Sequence, residues 1–213
     1  MGSKTRILSA AAEEFAAKGY HGATVRDICR RADVNLALVN YHFKSKEALY
    51  REMFEFLFRE TAHNEVFDRP CGDFGEWKAI LREWVEKVLL DISSREPGHR
   101  CRKMIFGREL LDPSDIFPNI YQTYIRPTIT DLAEHFRKVL PSSTGEDEIY
   151  IRVFSVMSDT LFYFHDREII RLTFPGRDFG VENIRAIADH ITGKACCDLK
   201  KNKVRKTSVR RRK

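Results

Sequence analysis

No run of 18 apolar residues occurs in this chain of 213, although 43% of its residues are hydrophobic, so no helix is expected to span a membrane. Cysteine is scarce and poorly spaced for cross-links or metal. Cys29, Cys71, Cys101, Cys196 and Cys197 form no CxxC pair and are odd in number, which argues against a zinc site or a disulfide framework. The seven histidines include no HExxH arrangement, and the proximity of His99 to Cys101 does not make a metal-ligand set. A nucleophile motif and a glycine-rich phosphate loop are both missing. No cofactor or metal is therefore expected, and the chain is read as not an enzyme. Arg108, Glu109 and His165, in aromatic surroundings, are the one foothold for an acid-base site. No alternating strand pattern is persuasive either. The opening MGSKTRILSAAAEEF meets acidic residues too early for a secretory signal, and the expectation is a cytoplasmic protein.

Positive charge is plentiful but unevenly placed. Residues 200–213, KKNKVRKTSVRRRK, hold nine of the 37 Lys and Arg and no acid, leaving 28 basic against 31 acidic residues elsewhere. Residues 1–51 hold nine basic and five acidic residues, a local excess of +4 on an otherwise acidic body. The terminal run cannot build a core. It reads as a solubilising, disordered extension or as a sequence-independent clamp on phosphates.

The strongest pattern is TVRDICRRADVNLALVNYHFKSKEALY, residues 24–50. Thr24 suits an N-cap, and Val25, Ile28, Cys29 and Ala32 fall at i, i+3, i+4 and i+7, one face of a helix. Asp33 tolerates the left-handed backbone that ends such a helix, and Asn35 can cap the next, so the turn is about three residues long. The second helix, Leu36 to His42, is too short to be stable unaided. Val39 and Phe43 are its expected inward anchors. Leu36, Ala37, Leu38, Asn40, Tyr41 and His42 are left without an obvious surface to pack on, and their chemistry suits a DNA groove. Small apolar side chains meet thymine methyls, Asn pairs with adenine, and Tyr and His reach phosphates. Asn35, at the mouth of this helix, is counted with the DNA-facing set. Ser45 caps a third helix, and Lys46 in its first turn stands where a helix dipole and a cation can hold one phosphate together. Two short helices, a tight turn and a following helix make a helix-turn-helix reader.

Residues 5–58 resemble the N-terminal DNA-binding domain of the TetR family of bacterial transcriptional regulators, including Phe15, Gly19, Tyr20 and Thr24 in the first helix and loop. The resemblance implies that Thr24, Arg26, Tyr41, His42 and Lys46 contact phosphates or sugars, while Leu36, Ala37 and Asn40 face bases. Asp33 departs from the Gly usual in that turn. The apolar pair Leu36 and Leu38 is a second departure.

Beyond this head the pattern stays helical. Leu49, Met53, Phe56 and Leu57 make a stripe along a connecting helix over 46–62. Further helices are expected over about 74–93, 99–111, 114–125, 127–139, 146–168 and 181–198, with breakers such as Asp112-Pro113 and Pro175-Gly176 between them. The fold class is all-α. A helix-turn-helix domain over 1–50 precedes a helical effector-binding and dimerisation domain over 51–199, with the basic tail at 200–213.

In the second domain, Trp77, Trp84, Phe106, Tyr121, Tyr124 and Phe162, with Arg108 and Glu109, are the candidate lining of an apolar small-molecule cavity, although any one of the aromatics can equally be core. The stretch GRELLDPSDIFPNIYQTYIRPTITDLAEHF is similar to the C-terminal domain of a TetR subgroup related to the CerR and CecR regulators, which implies a ligand-responsive repressor. Two stripes, Ile149, Val153, Val156, Met157 and Phe164, and Ile184, Ile187, Ala188 and Ile191, suit either a dimer face or internal core. The resemblance implies a homodimer paired through its last two long helices. Such a dimer reads a palindromic operator in double-stranded DNA and is released by a small-molecule effector. A constitutive DNA-binding protein without an effector is the alternative.

Overall fold

The computed structural model describes residues 2–58, 63–94, 96–165, 167–173, 181–197 and 199, and the basic tail lies outside them. No strand occurs among the described residues. None of their helices is long and apolar enough to cross a membrane. The chain divides into two compact units. The first comprises Met1–Ala62 with Ser94–Tyr124, and the second His63–Ser93 with Ile125–Lys213.

Helices α1 (Ser3–Gly22), α2 (Val25–Ala32), α3 (Leu36–Phe43) and α4 (Lys46–Phe58) open the first unit. Ile7, Phe15, Ile28, Phe43, Leu49 and Met53 form its buried centre. Near its end α1 is interrupted at Gly19, whose φ of 71° lies in the left-handed region that costs other residues more. The connecting helix expected over 46–62 is described as far as Phe58. After α5 (Phe74–Ser93), which belongs to the second unit, the chain returns to the first. There α6 (Pro97–Leu111) packs on α1 and α4 and inserts Ile105 into the core.

The helix expected over 114–125 begins at Phe117 and is not α-helical throughout. A short α7 (Phe117–Ile120) passes into a π turn, Tyr121–Ile125, before α8 (Arg126–Arg137) begins. Pro127 has no N–H to donate back along the chain, which disfavours an unbroken α-helical ladder at this point.

The second unit surrounds α5, which buries Trp77, Leu81, Val85 and Leu89 at four-residue spacing. Against it pack a 3-10 turn at His63–Asp68 in what sequence patterning leaves as loop, then α9 (Glu146–His165) and α11 (Val181–Ala195). The helix expected over 146–168 is described as α9 to His165, and α10 (Arg167–Thr173) follows residue 166, which lies outside the described residues. Both stripes named above as dimer face or core resolve to core. Ile149, Val153 and Val156 on α9 and Ile184, Ile187, Ala188 and Ile191 on α11 are buried, and Met157 is half-buried against the same cluster. The Phe164 side chain lies outside the described set.

One polar device locks this core. Trp77 Nε1 donates to the His135 carbonyl at 2.7 Å, and His135 Nε2 lies 3.0 Å from the Trp77 carbonyl, with the two rings stacked at 5.0 Å. A carbonyl only accepts, so Nε2 carries the proton. Burial then holds the imidazole neutral, its pKa pushed down to about 3.

Candidate nucleic-acid interface

The reading head is assembled by caps. Thr24 Oγ1 accepts from the Asp27 N–H at 3.1 Å and starts α2. Asp33 ends it with φ 51° and ψ 56°, the left-handed conformation read from its sequence position. Asn35 Oδ1 accepts from Leu38 N–H at 2.8 Å to start α3, and Ser45 Oγ accepts from Ala48 N–H at 3.0 Å to start α4. Both inward anchors of α3, Val39 and Phe43, are buried.

The opposite face of α3 is open. Leu36, Ala37 and Asn40 are exposed, and Tyr41 is 79% exposed. Leu38 and His42 are not fully outward. Leu38 is half-buried against the core, and His42 Nε2 lies 3.3 Å from Ser3 Oγ, which fixes the start of α1 beside the end of α3. Thr24, Arg26 and Asn35 are exposed at the helix starts. Lys46 lies back against the head. Its Nζ donates to the His21 carbonyl at 3.3 Å and sits 4.7 Å from the Tyr20 ring centre, and burial pushes its pKa down. The ammonium is thus parked at the α4 N-terminus.

An ion network that sequence reasoning missed binds α1 to α2. Lys18 bridges Glu14 and Asp27 at 2.9 Å each, while Arg31 reaches Glu13 at 2.6 Å and Glu14 at 2.8 Å. The Lys18 hydrogen bond and Arg31 hold the Glu14 carboxyl below its usual range against the effect of burial. Arg30 pairs with Asp27. Of the α2 arginines, Arg26 is left with no ion-pair partner among the described residues. Lys44, with φ 58° and exposed just beyond α3, is a cation that sequence reasoning missed. Its signal was legible as a basic residue between the reading helix and the Ser45 cap.

The eight residues expected to line an effector cavity are divided between the two units. Trp77 and Trp84 are second-unit core, with Trp84 Nε1 donating to Asn64 Oδ1 at 3.4 Å. Phe162 is exposed on α9. The other five belong to the first unit. Phe106 and Tyr124 both pack against Phe58, Tyr121 is 36% exposed, and Tyr124 also lines a cleft beside α4. Arg108 Nη2 donates to the Ala17 carbonyl at 3.0 Å, close to the Gly19 interruption of α1. Glu109 is 3% exposed; Oε1 accepts from Tyr50 OH at 2.7 Å, and Oε2 accepts from Ser114 N–H and Oγ–H at 3.0 Å each. Both residues therefore tie α6 to the head. Cys29 is core, as its helix face requires.

Comparison with known proteins agrees with this arrangement. The profile described as "Bacterial regulatory proteins, tetR family" matches residues 7–53, and that of "HTH-type transcriptional dual regulator CecR, C-terminal domain" matches residues 78–195, more than half of the chain. CecR of Shigella flexneri is 24% identical over 206 residues, covering 89% of this chain and 88% of its own. The HTH-type transcriptional regulator YttP of Bacillus subtilis is 26% identical over 123 residues, and the match spans 58% of each chain. In fold, the chain is similar to AibR, solved in complex with isovaleryl coenzyme A and operator DNA, with a TM-score of 0.64 at 16% identity, covering 91% of this chain and 97% of that one. A capped helix-turn-helix head, a helical second unit and these two matched profiles lead to one conclusion: the chain belongs to the TetR family of bacterial transcriptional regulators and carries a CecR-type C-terminal domain.

Proposed function

We infer that this protein is a ligand-responsive repressor, acting in the cytoplasm as a homodimer on a palindromic operator and released by a small-molecule effector. The observation that carries the reading is the outward face of α3, where Leu36, Ala37, Asn40 and Tyr41 stand exposed on a helix whose start is capped and whose other face is anchored. These four reach the groove, with Leu38 and His42 at its edge. Thr24, Arg26, Asn35 and Lys46 position the head on phosphates, joined by Lys44.

A dimer is supported by an apolar face left uncovered among the described residues. On α9, Ile151 is 64%, Phe154 51% and Phe162 48% exposed, along one stripe opposite the buried one. Ile169 and Leu172 extend exposed apolar surface onto α10. Twofold pairing through this surface brings two heads to successive half-sites about 34–36 Å apart.

Release follows from linkage. An effector acts only if it binds the DNA-free arrangement more tightly than the bound one. The ties from Arg108 to Ala17 and from Glu109 to Tyr50 make α6 the lever, because moving it disturbs α1 and α4 together. AibR, caught with both an acyl-coenzyme A and operator DNA, is a precedent of the same fold for a regulator of this kind.

The test selects bound sequences from random DNA and then titrates metabolites and antibiotics against the complex. A palindromic site weakened by at least one compound is the expected result. Binding insensitive to every compound would establish the constitutive alternative, and selection of no sequence would remove the DNA-binding assignment itself.

A further inference from the structure

The first unit contains a cleft that neither the reading face nor the ties to α6 use. It lies between α4 and the segment of α7 and the π turn, opens to solvent on one side, and has a volume of about 160 Å³. Its floor is apolar, made by the buried side chains of Phe54, Ile116 and Ile120. Tyr124 is half-buried along the wall, its ring centre 6.0 Å from that of Phe54. Asn119 and Thr123 add an amide and a hydroxyl.

Charge at the rim is one-sided once existing pairs are removed. Arg51 is engaged by Glu47, and Glu52 by Lys4 at 2.5 Å. Glu55 is exposed and has no basic partner among the described residues. It lies close enough to Tyr124 to raise the phenol pKa, after burial, the larger cause.

Volume sets the size of an occupant. An apolar cavity of about 150 Å³ takes benzene, whereas drug-sized ligands need about 300–1,000 Å³. One ring fits this floor. The rim sets the sign: an anion would meet an uncompensated carboxylate, while an ammonium would be drawn to it and gain a cation–π contact with Tyr124.

We propose that the cleft is a binding site for a small arylalkyl ammonium, with the ring over Phe54, Ile116 and Ile120 and the cation between Glu55 and Tyr124. Binding stands on this geometry alone. Its effect on DNA rests on the regulator reading, since α4 carries Ser45 and Lys46 at its other end.

Benzylammonium, benzyl alcohol and benzoate are titrated into the full-length protein by saturation-transfer NMR and calorimetry. Benzylammonium binds about tenfold more tightly than benzyl alcohol, and benzoate more weakly than both. Glu55→Gln, at an exposed position, brings benzylammonium down to the affinity of the alcohol. Thr123→Phe, also exposed, fills the cleft and removes both. Equal affinity for the three probes, or benzylammonium binding undiminished in Glu55→Gln, overturns the site. Operator affinity is then measured with and without saturating benzylammonium. An unchanged value beside Glu55-dependent binding confirms the site and removes only its effect on DNA, whereas failure of the regulator reading shows separately as no selected operator.

Discussion

Tyr50→Phe deletes one oxygen from the middle of the first unit. The phenol donates at 2.7 Å to a Glu109 carboxylate that is 3% exposed, and the remaining partners of that carboxylate, Ser114 N–H and Oγ–H, both lie on its other oxygen. The variant leaves Oε1 buried without this donor. Hydrogen bonds to charged groups contribute about 1.5–3 kcal/mol, and with Oε2 still holding both Ser114 donors a loss of about 2 kcal/mol is expected. In a chain of this length that lowers Tm by roughly 4–8 °C. Probe choice matters, because both tryptophans, Trp77 and Trp84, lie in the second unit. Helical circular dichroism in urea therefore records the loss, whereas tryptophan fluorescence follows the second unit. A second signature is in alkali. Burial, then the Glu109 hydrogen bond, holds the Tyr50 pKa well above the ordinary value of 10.0. A folded pKa above the unfolded one gives stability that is present below pH 10 and lost above it, at about 1.4 kcal/mol per pH unit. Tyr50→Phe removes that portion of the slope. A stability change below about 0.5 kcal/mol, together with an unaltered alkaline slope, would refute the tie.

His135 gives the opposite linkage in the second unit. Its folded pKa is depressed to about 3 from an ordinary 6.5, so stability is complete above pH 6.5 and falls by about 1.4 kcal/mol per pH unit between 6.5 and 3; His135→Gln flattens this limb in tryptophan-detected unfolding, and an unchanged limb assigns it elsewhere. Tyr41→Ala and Lys46→Ala weaken operator binding in folded protein, and Lys46→Ala lowers the slope of log affinity against log salt by about one; wild-type affinity in either variant removes that residue from the interface. Phe154→Glu places a charge in the α9 stripe and converts dimer to monomer by sedimentation, with helicity retained; a dimer that survives it uses another face.

The head was the most legible part of the chain, because its determinants are local. Thr24, Asp33 and Asn35 each act on backbone within three residues, and Val39 and Phe43 follow from helical period alone. The second half was less legible for the opposite reason. Tyr50 and Glu109 are separated by 59 positions, and nothing in the local pattern of α6 says that it packs on α1 and α4. Hence Arg108 and Glu109, read as effector contacts, instead have partners in the head. Periodicity also failed on α9, which is apolar on both sides. Ile149, Val153 and Val156 face the core, while Ile151, Phe154 and Phe162 face out, and hydropathy does not distinguish a face covered by the same chain from one left exposed.

Three successive helices of the head begin at the side-chain oxygens of Thr24, Asn35 and Ser45, and α3 is pinned from beneath by Val39 and Phe43. Its position is thus determined by atoms that need not touch a base. Leu36, Ala37 and Asn40 project from the far side, where substitutions change stability by no more than about 0.5 kcal/mol. On the proposed reading, in which these three side chains face bases, sequence preference can be rewritten at three positions while the scaffold presenting them stays the same, so that divergence of target sites requires no divergence of fold.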